Sequence, residues 1–138
     1  MGVPEMEAFW QDILQKRKSN TLNSAAKLFS LADKKEVSLS VSSLTFANTN
    51  YILSKRTTTE KSREILRRFR VLVKVISLDD KIVDLALNDS SFTDFEDGLQ
   101  YYTAIESGIK VIITRDLKSF KESIIPVMSP QEYLTSID

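Results

Sequence analysis

The most constraining stretch is residues 93–120, TDFEDGLQYYTAIESGIKVIITRDLKSF, where a helix, a glycine stop, a buried strand and an acidic loop follow without a break. Thr93 and Glu96 have capping-box spacing, which predicts a helix that begins after Thr93. Asp94 and Asp97 then share one face of its first turn, and Phe95, Leu99, Tyr102 and Ile105 form the opposite, inward stripe. Gly108 suits the left-handed position just past the helix end. Residues 109–114 are apolar and β-branched, as in a fully buried strand, and Asp116 follows within two residues. In a parallel α/β layer a helix preceding a strand begins at the edge where the strands end. That edge, the usual ligand edge of open α/β sheets, would therefore collect Asp94, Asp97 and Asp116. Carboxylates gathered this way repel one another unless a divalent cation neutralises them, and hard oxygen donors suit Mg²⁺ or Mn²⁺. Taken singly, each acid is explained by a helix dipole or a turn cap; taken together, they favour a metal site.

Composition narrows the chemistry further. The chain has neither cysteine nor histidine, which excludes disulfides, thiol nucleophiles, Ser-His-Asp catalysis and imidazole bases. Its three glycines, Gly2, Gly98 and Gly108, cannot write a phosphate-cradling loop or a dinucleotide fingerprint. Carboxylate, lysine, hydroxyl and bound metal remain. At 138 residues one domain spanning 1–138 is expected. No membrane-length apolar run and no signal-peptide order are present, so a cytoplasmic location is expected. The formal net charge is zero, yet residues 55–74 carry a net +6 and residues 79–97 a net −6. A basic helix beside an acidic edge suits a phosphodiester substrate, with Arg63, Arg67 and Arg68 as candidate backbone contacts; a solvated helix face explains them equally well.

The rest of the chain alternates helix and strand. A short helix is expected over 5–16, with Phe9, Trp10, Ile13 and Leu14 on one side. Thr21 or Asn23 would cap a helix to about 34 that buries Ala25, Leu28, Phe29 and Ala32. A strand at 36–41 leads through Ser42 and Ser43 into a helix over 44–56, with Leu44, Ala47, Tyr51 and Ile52 inward and Asn48 in its second turn. A basic helix at 60–70 turns Ile65, Leu66 and Phe69 inward and is followed by a strand at 71–76. Asp79 and Asp80 open a helix to about Leu87, a last strand occupies 124–127, and a helical turn covers 130–134. This is the order of an α/β domain with helices on both faces of a sheet.

The segments VSLSVSSLTFANTNYIL, DFEDGLQYYTA, VIITRDLKSF and IPVMSPQEYL together resemble PIN-domain proteins, most closely the branch of VapC-type toxins, over about residues 13–134. The resemblance implies a three-layer α/β/α sandwich with a mainly parallel central sheet. It also implies an RNA endonuclease dependent on Mg²⁺ or Mn²⁺, acting on single-stranded or structured RNA and paired with an antitoxin protein. Carried over, Asp97 and Asp116 match the family's acids and Asp94 is the additional acid of the DFED variant. Asn48 stands where an acid is usual, and Thr114 matches a small hydroxyl residue lining the site. The family's first strand and its Asp should fall near residues 3–8, but the residues are VPEMEA. Pro4 removes a ladder donor and Met6 occupies the acid's position, with Glu5 or Glu7 as the nearest carboxylates. The first strand is therefore expected to be shortened, rebuilt as helix or missing, and the open sheet edges this leaves favour a homodimer. The alternative function is a degenerate PIN domain that binds protein or RNA without cutting. A receiver- or phosphatase-like site ranks third, because neither a first-strand acid nor a lysine partner can be located.

Overall fold

The computed structural model describes residues 20–114 and 116–137. The expected helix at 5–16, the altered first strand, Glu5 and Glu7, and the burial of Ala25 lie outside that description. Helix α1 (Asn20–Asp33) already includes Thr21 and Asn23, so neither is its cap. Its other end is a Schellman turn: the Lys35 amide donates to Ala32 O at 3.0 Å and the Glu36 amide to Leu31 O at 2.9 Å, with Lys35 at φ 62°.

Strand β1 (Ser40–Ser42) passes directly into α2 (Ser43–Ser54). Helix α3 (Thr59–Leu72) follows, capped by the Thr58 hydroxyl, which accepts from the Lys61 amide, and leads to β2 (Lys74–Ile76). The α3 helix overruns its expected end because Val71 and Leu72 complete a last turn. Val71 is consequently 82% exposed, not the start of a buried strand. Asp79 caps α4 (Asp80–Leu87) as expected, its carboxylate accepting from the Ile82 amide at 3.0 Å. Then come α5 (Phe95–Glu106), β3 (Ile112–Ile113), a 3₁₀ turn (Leu117–Phe120), β4 (Val127–Met128) and α6 (Pro130–Ile137).

The architecture is α/β with parallel pairing throughout the described residues. Ser40, Val41 and Ser42 pair with Lys74, Val75 and Ile76, and Ile112 and Ile113 pair with Val127 and Met128. These are two separate two-stranded ladders rather than one continuous central sheet among the described residues. The last strand lies later than expected because Ile124, at 81% exposure, belongs to the loop before it.

Each ladder has its own apolar packing. Leu39, Val41, Phe69 and Val73 unite α3 with β1, and the Phe69 ring meets Phe29 at 5.7 Å and Phe46 at 5.2 Å. Tyr101, Ala104, Ile112 and Phe120 bury α5 against β3 and the 3₁₀ turn. Ile82, Ala86 and Leu99 lock α4 to α5. In α2 the buried face is Thr45, Thr49 and Leu53; Ala47 is exposed and Tyr51 is 62% exposed, contrary to the expected stripe. Threonine methyls take the places apolar residues were expected to fill.

Candidate functional site

Helix α5 is anchored at both ends, which fixes its acidic first turn. At the far end the Gly108 amide donates to Ile105 O and the Ile109 amide to Ala104 O, with Gly108 at φ 69°. At the near end the cap is Asp94, not Thr93: its Oδ1 accepts from the Glu96 amide at 2.8 Å. Both residue types cap well, and only the backbone chooses between neighbours. The segment entering α5 is pinned by Asp89, which accepts from the Ser91 amide and from the Tyr102 hydroxyl at 2.5 Å. That bond pushes the Tyr102 hydroxyl up to about 12.

Asp97 lies one turn in, partly buried, and its carboxyl is raised to about 6. Burial is the largest cause, followed by repulsion from Asp94; Asp116 and Glu96 add to it, and a hydrogen bond from Ser119 opposes it. Asp116 reaches the same place from the loop after β3. Its amide donates to Thr114 Oγ1 at 3.1 Å, and its carboxylate accepts from both the amide and the hydroxyl of Ser119. Ser119 therefore donates its one hydroxyl proton to Asp116, and it lies near enough to Asp97 to favour that carboxylate's charged form. Thr114 is buried and also bonds through its amide to Met128 O, joining the acidic loop to the β3–β4 ladder.

Asp94, Asp97 and Asp116 line one open cleft of about 810 Å³, together with Phe95, Lys118 and Lys121. Asn48 does not join them. Its side-chain amide donates to Glu96 Oε1, tying α2 to the first turn of α5 beside the cleft. Below that tie, Ser42 donates to Gln100 Oε1 at 2.9 Å and Gln100 donates to Thr45 at 3.3 Å, forming a polar seam between the two helices. Arg63, Arg67 and Arg68 are exposed on α3 and none lines the cleft; Arg68 pairs with Glu64 at 2.9 Å. Among the described residues the cations of the cleft are Lys118 and Lys121, which sequence reasoning passed over because their short segment lacks a charge run.

The donor set suits a hard divalent ion. Oxygen ligands from two elements converge, and an acid raised by its neighbours' charge is one that a cation would relieve. The set is nevertheless short of a closed cage, because no three acidic side chains among the described residues stand close enough together to enclose an ion.

Comparison with known proteins gives the family of the chain. Over 54 residues the chain is 39% identical to Ribonuclease VapC1 of Aquifex aeolicus (strain VF5), a match covering 39% of this chain and 37% of that relative. The family model described as PIN domain matches residues 8–118, taking in α1 through Lys118 and hence every acid of the cleft except Glu122. By that match, which spans most of its length, the chain belongs to the PIN-domain family.

Proposed function

We propose that this chain is a divalent-metal-dependent RNA endonuclease of the toxin type, with Asp97, Asp116 and Asp94 as the acids that hold Mg²⁺ or Mn²⁺. The observation that carries the reading is the state of Asp97, a partly buried acid held up to about 6 by burial and by the carboxylates around it. Such crowding weakens the fold unless something positive enters, so its presence in a cleft marks a ligand site more than a structural one. The ribonuclease named in the relative supports the choice of phosphodiester chemistry.

Within that reading each residue has a physical task. Above about pH 6 Asp97 is anionic and offers an oxygen ligand. Ser119 fixes the Asp116 carboxylate by donating both its amide and its hydroxyl to it. Thr114 fixes the approach of the Asp116 backbone, and Asn48 holds Glu96 aside from the acids. A bound divalent ion would lower the pKa of a water and neutralise phosphate charge, which makes a histidine dispensable. An antitoxin protein as partner, which the resemblance implies, belongs to the same reading, as do a homodimer, expected from open sheet edges, and a cytoplasmic setting, expected from the sequence.

One observation favours a second reading, a PIN domain that binds without cutting: the described acids do not by themselves enclose an ion. Calorimetric titration with Mn²⁺, wild type beside Asp97→Asn, followed by cleavage of a generic single-stranded RNA, separates the two. Binding and cleavage present in the wild type and absent from the variant are expected. Cleavage retained by Asp97→Asn would remove Asp97 from the site, and a wild type that binds no Mn²⁺ would establish the binding-only reading.

A further inference from the structure

The cleft holds an aromatic ring that the core does not use. Phe95 opens α5 and was expected on its inward stripe, four residues before Leu99, yet it is 44% exposed. The aromatic requirement of the neighbouring core is met by Phe92, whose ring lies 5.0 Å from Tyr101 and 6.2 Å from Phe120. No ring contact holds Phe95 among the described residues. An exposed apolar residue is ordinary in isolation. This one faces the cleft that also contains Asp97 and Asp116, together with two cations.

Those cations are arranged by the turn that carries them. Asp116 caps the 3₁₀ turn by accepting from the Ser119 amide, and the Lys121 amide closes it on Lys118 O. In 3₁₀ geometry residues three apart eclipse, so Lys118 and Lys121 leave the backbone on the same side. Neither makes an ion pair with a described residue. The cleft therefore offers an aromatic face from the start of α5 and two ammonium groups from the turn after β3, with Asp97 and Asp116 beside them. Single-stranded nucleic acid is recognised by this combination, a base on an aromatic face and phosphates on cations.

We propose that Phe95 is the base-stacking platform of this cleft and that Lys118 and Lys121 hold the adjoining phosphates, seating single-stranded RNA beside Asp97; the proposal rests on the nuclease reading above. Stacking accepts any base, so recognition at Phe95 is tolerant of sequence. Phe95 is a positioning residue and has no part in holding the ion.

The test is a single-stranded oligoribonucleotide carrying 2-aminopurine, mixed by stopped flow in Mn²⁺ buffer and read before turnover. The wild type is expected to quench the fluorophore. Phe95→Ala should bind about ten-fold more weakly with the quench lost, and Phe95→Trp should restore both. Mn²⁺ affinity measured by calorimetry should be unchanged in Phe95→Ala, which also establishes that the variant is folded. Full quenching and wild-type affinity in Phe95→Ala would overturn the proposal and leave the ring to a protein partner. A wild type that binds no RNA would overturn both this proposal and the nuclease reading. Quenching that depends on residue 95, in a chain that cuts no RNA, would sustain the platform and sink the nuclease reading alone.

Discussion

Asp97 makes the folded chain sensitive to pH in a direction opposite to that of a salt-bridged acid. Its carboxyl has an ordinary value of 3.8 and stands at about 6 in the fold. Below the lower value it is protonated in both folded and unfolded chains and costs nothing. As pH rises toward the higher value the unfolded chain ionises first, so stability falls through that window and stays reduced above it. A gap of that size corresponds to about 3 kcal/mol, reduced to about 1–1.5 kcal/mol because the acid is partly solvated. Asp97→Asn should therefore melt about 3–6 °C higher than the wild type at pH 7.5 and at nearly the same temperature at about pH 2.5, below the ordinary carboxyl value. Equal melting at pH 7.5 would mean that the acid is not strained. Saturating Mn²⁺ should raise the wild-type melting temperature and leave the variant where it is. The sequence made this residue legible because carboxylates three apart on a helix start can only share a face. It could not show Phe95 turned into the cleft, since the spacing to Leu99 is that of an inward residue. What decides its exposure is that position 95 is the first of the helix and Phe92 already fills the adjoining core.

At the scale of elements, helix α2 shows why periodicity was a partial guide. Its buried face is Thr45, Thr49 and Leu53, so a search for apolar residues chose the wrong side and turned Ala47 and Tyr51 inward. Thr45 accepts from Gln100, but Thr49 is 0% exposed and its hydroxyl has no hydrogen-bond partner among the described residues. An unsatisfied buried hydroxyl costs about 1–3 kcal/mol, and valine has nearly the same shape. Thr49→Val should therefore stabilise the chain by about 1 kcal/mol, read as a higher urea midpoint with an unchanged slope. A lower midpoint would show that the hydroxyl is satisfied in solution. The strands were legible as apolar runs but not in extent. The residues of β3 that pair are Ile112 and Ile113, while Ile109 is occupied in the Schellman turn that ends α5. Apolar runs report burial; pairing is set by where the turns on either side release the chain. Two helix ends were legible, because Asp79 and Gly108 act through their own backbone neighbourhoods and need no distant partner.

Across the whole molecule the question is which positive surface meets the nucleic acid. Residues 55–74 carry a net +6, half of it on α3, whereas the acidic cleft contains Lys118 and Lys121. The sequence favours the first surface because a charge run is visible in it, and only the fold brings the second beside Asp97. The two give different salt dependences, since each phosphate neutralised on a single strand contributes about −0.7 to the slope of log K against log salt. RNA held by the two lysines alone should give a slope of about −1.4; engagement of Arg63, Arg67 and Arg68 as well should give about −3.5. We expect the shallow slope, because none of the three arginines lines the cleft and Arg68 is paired with Glu64. Lys118→Ala with Lys121→Ala should flatten it nearly to zero, and the triple alanine variant of α3 should leave it unchanged. A steep slope that collapses in the α3 variant would instead extend the RNA path from the cleft to α3, so that the charge run in the sequence would be part of the binding surface after all.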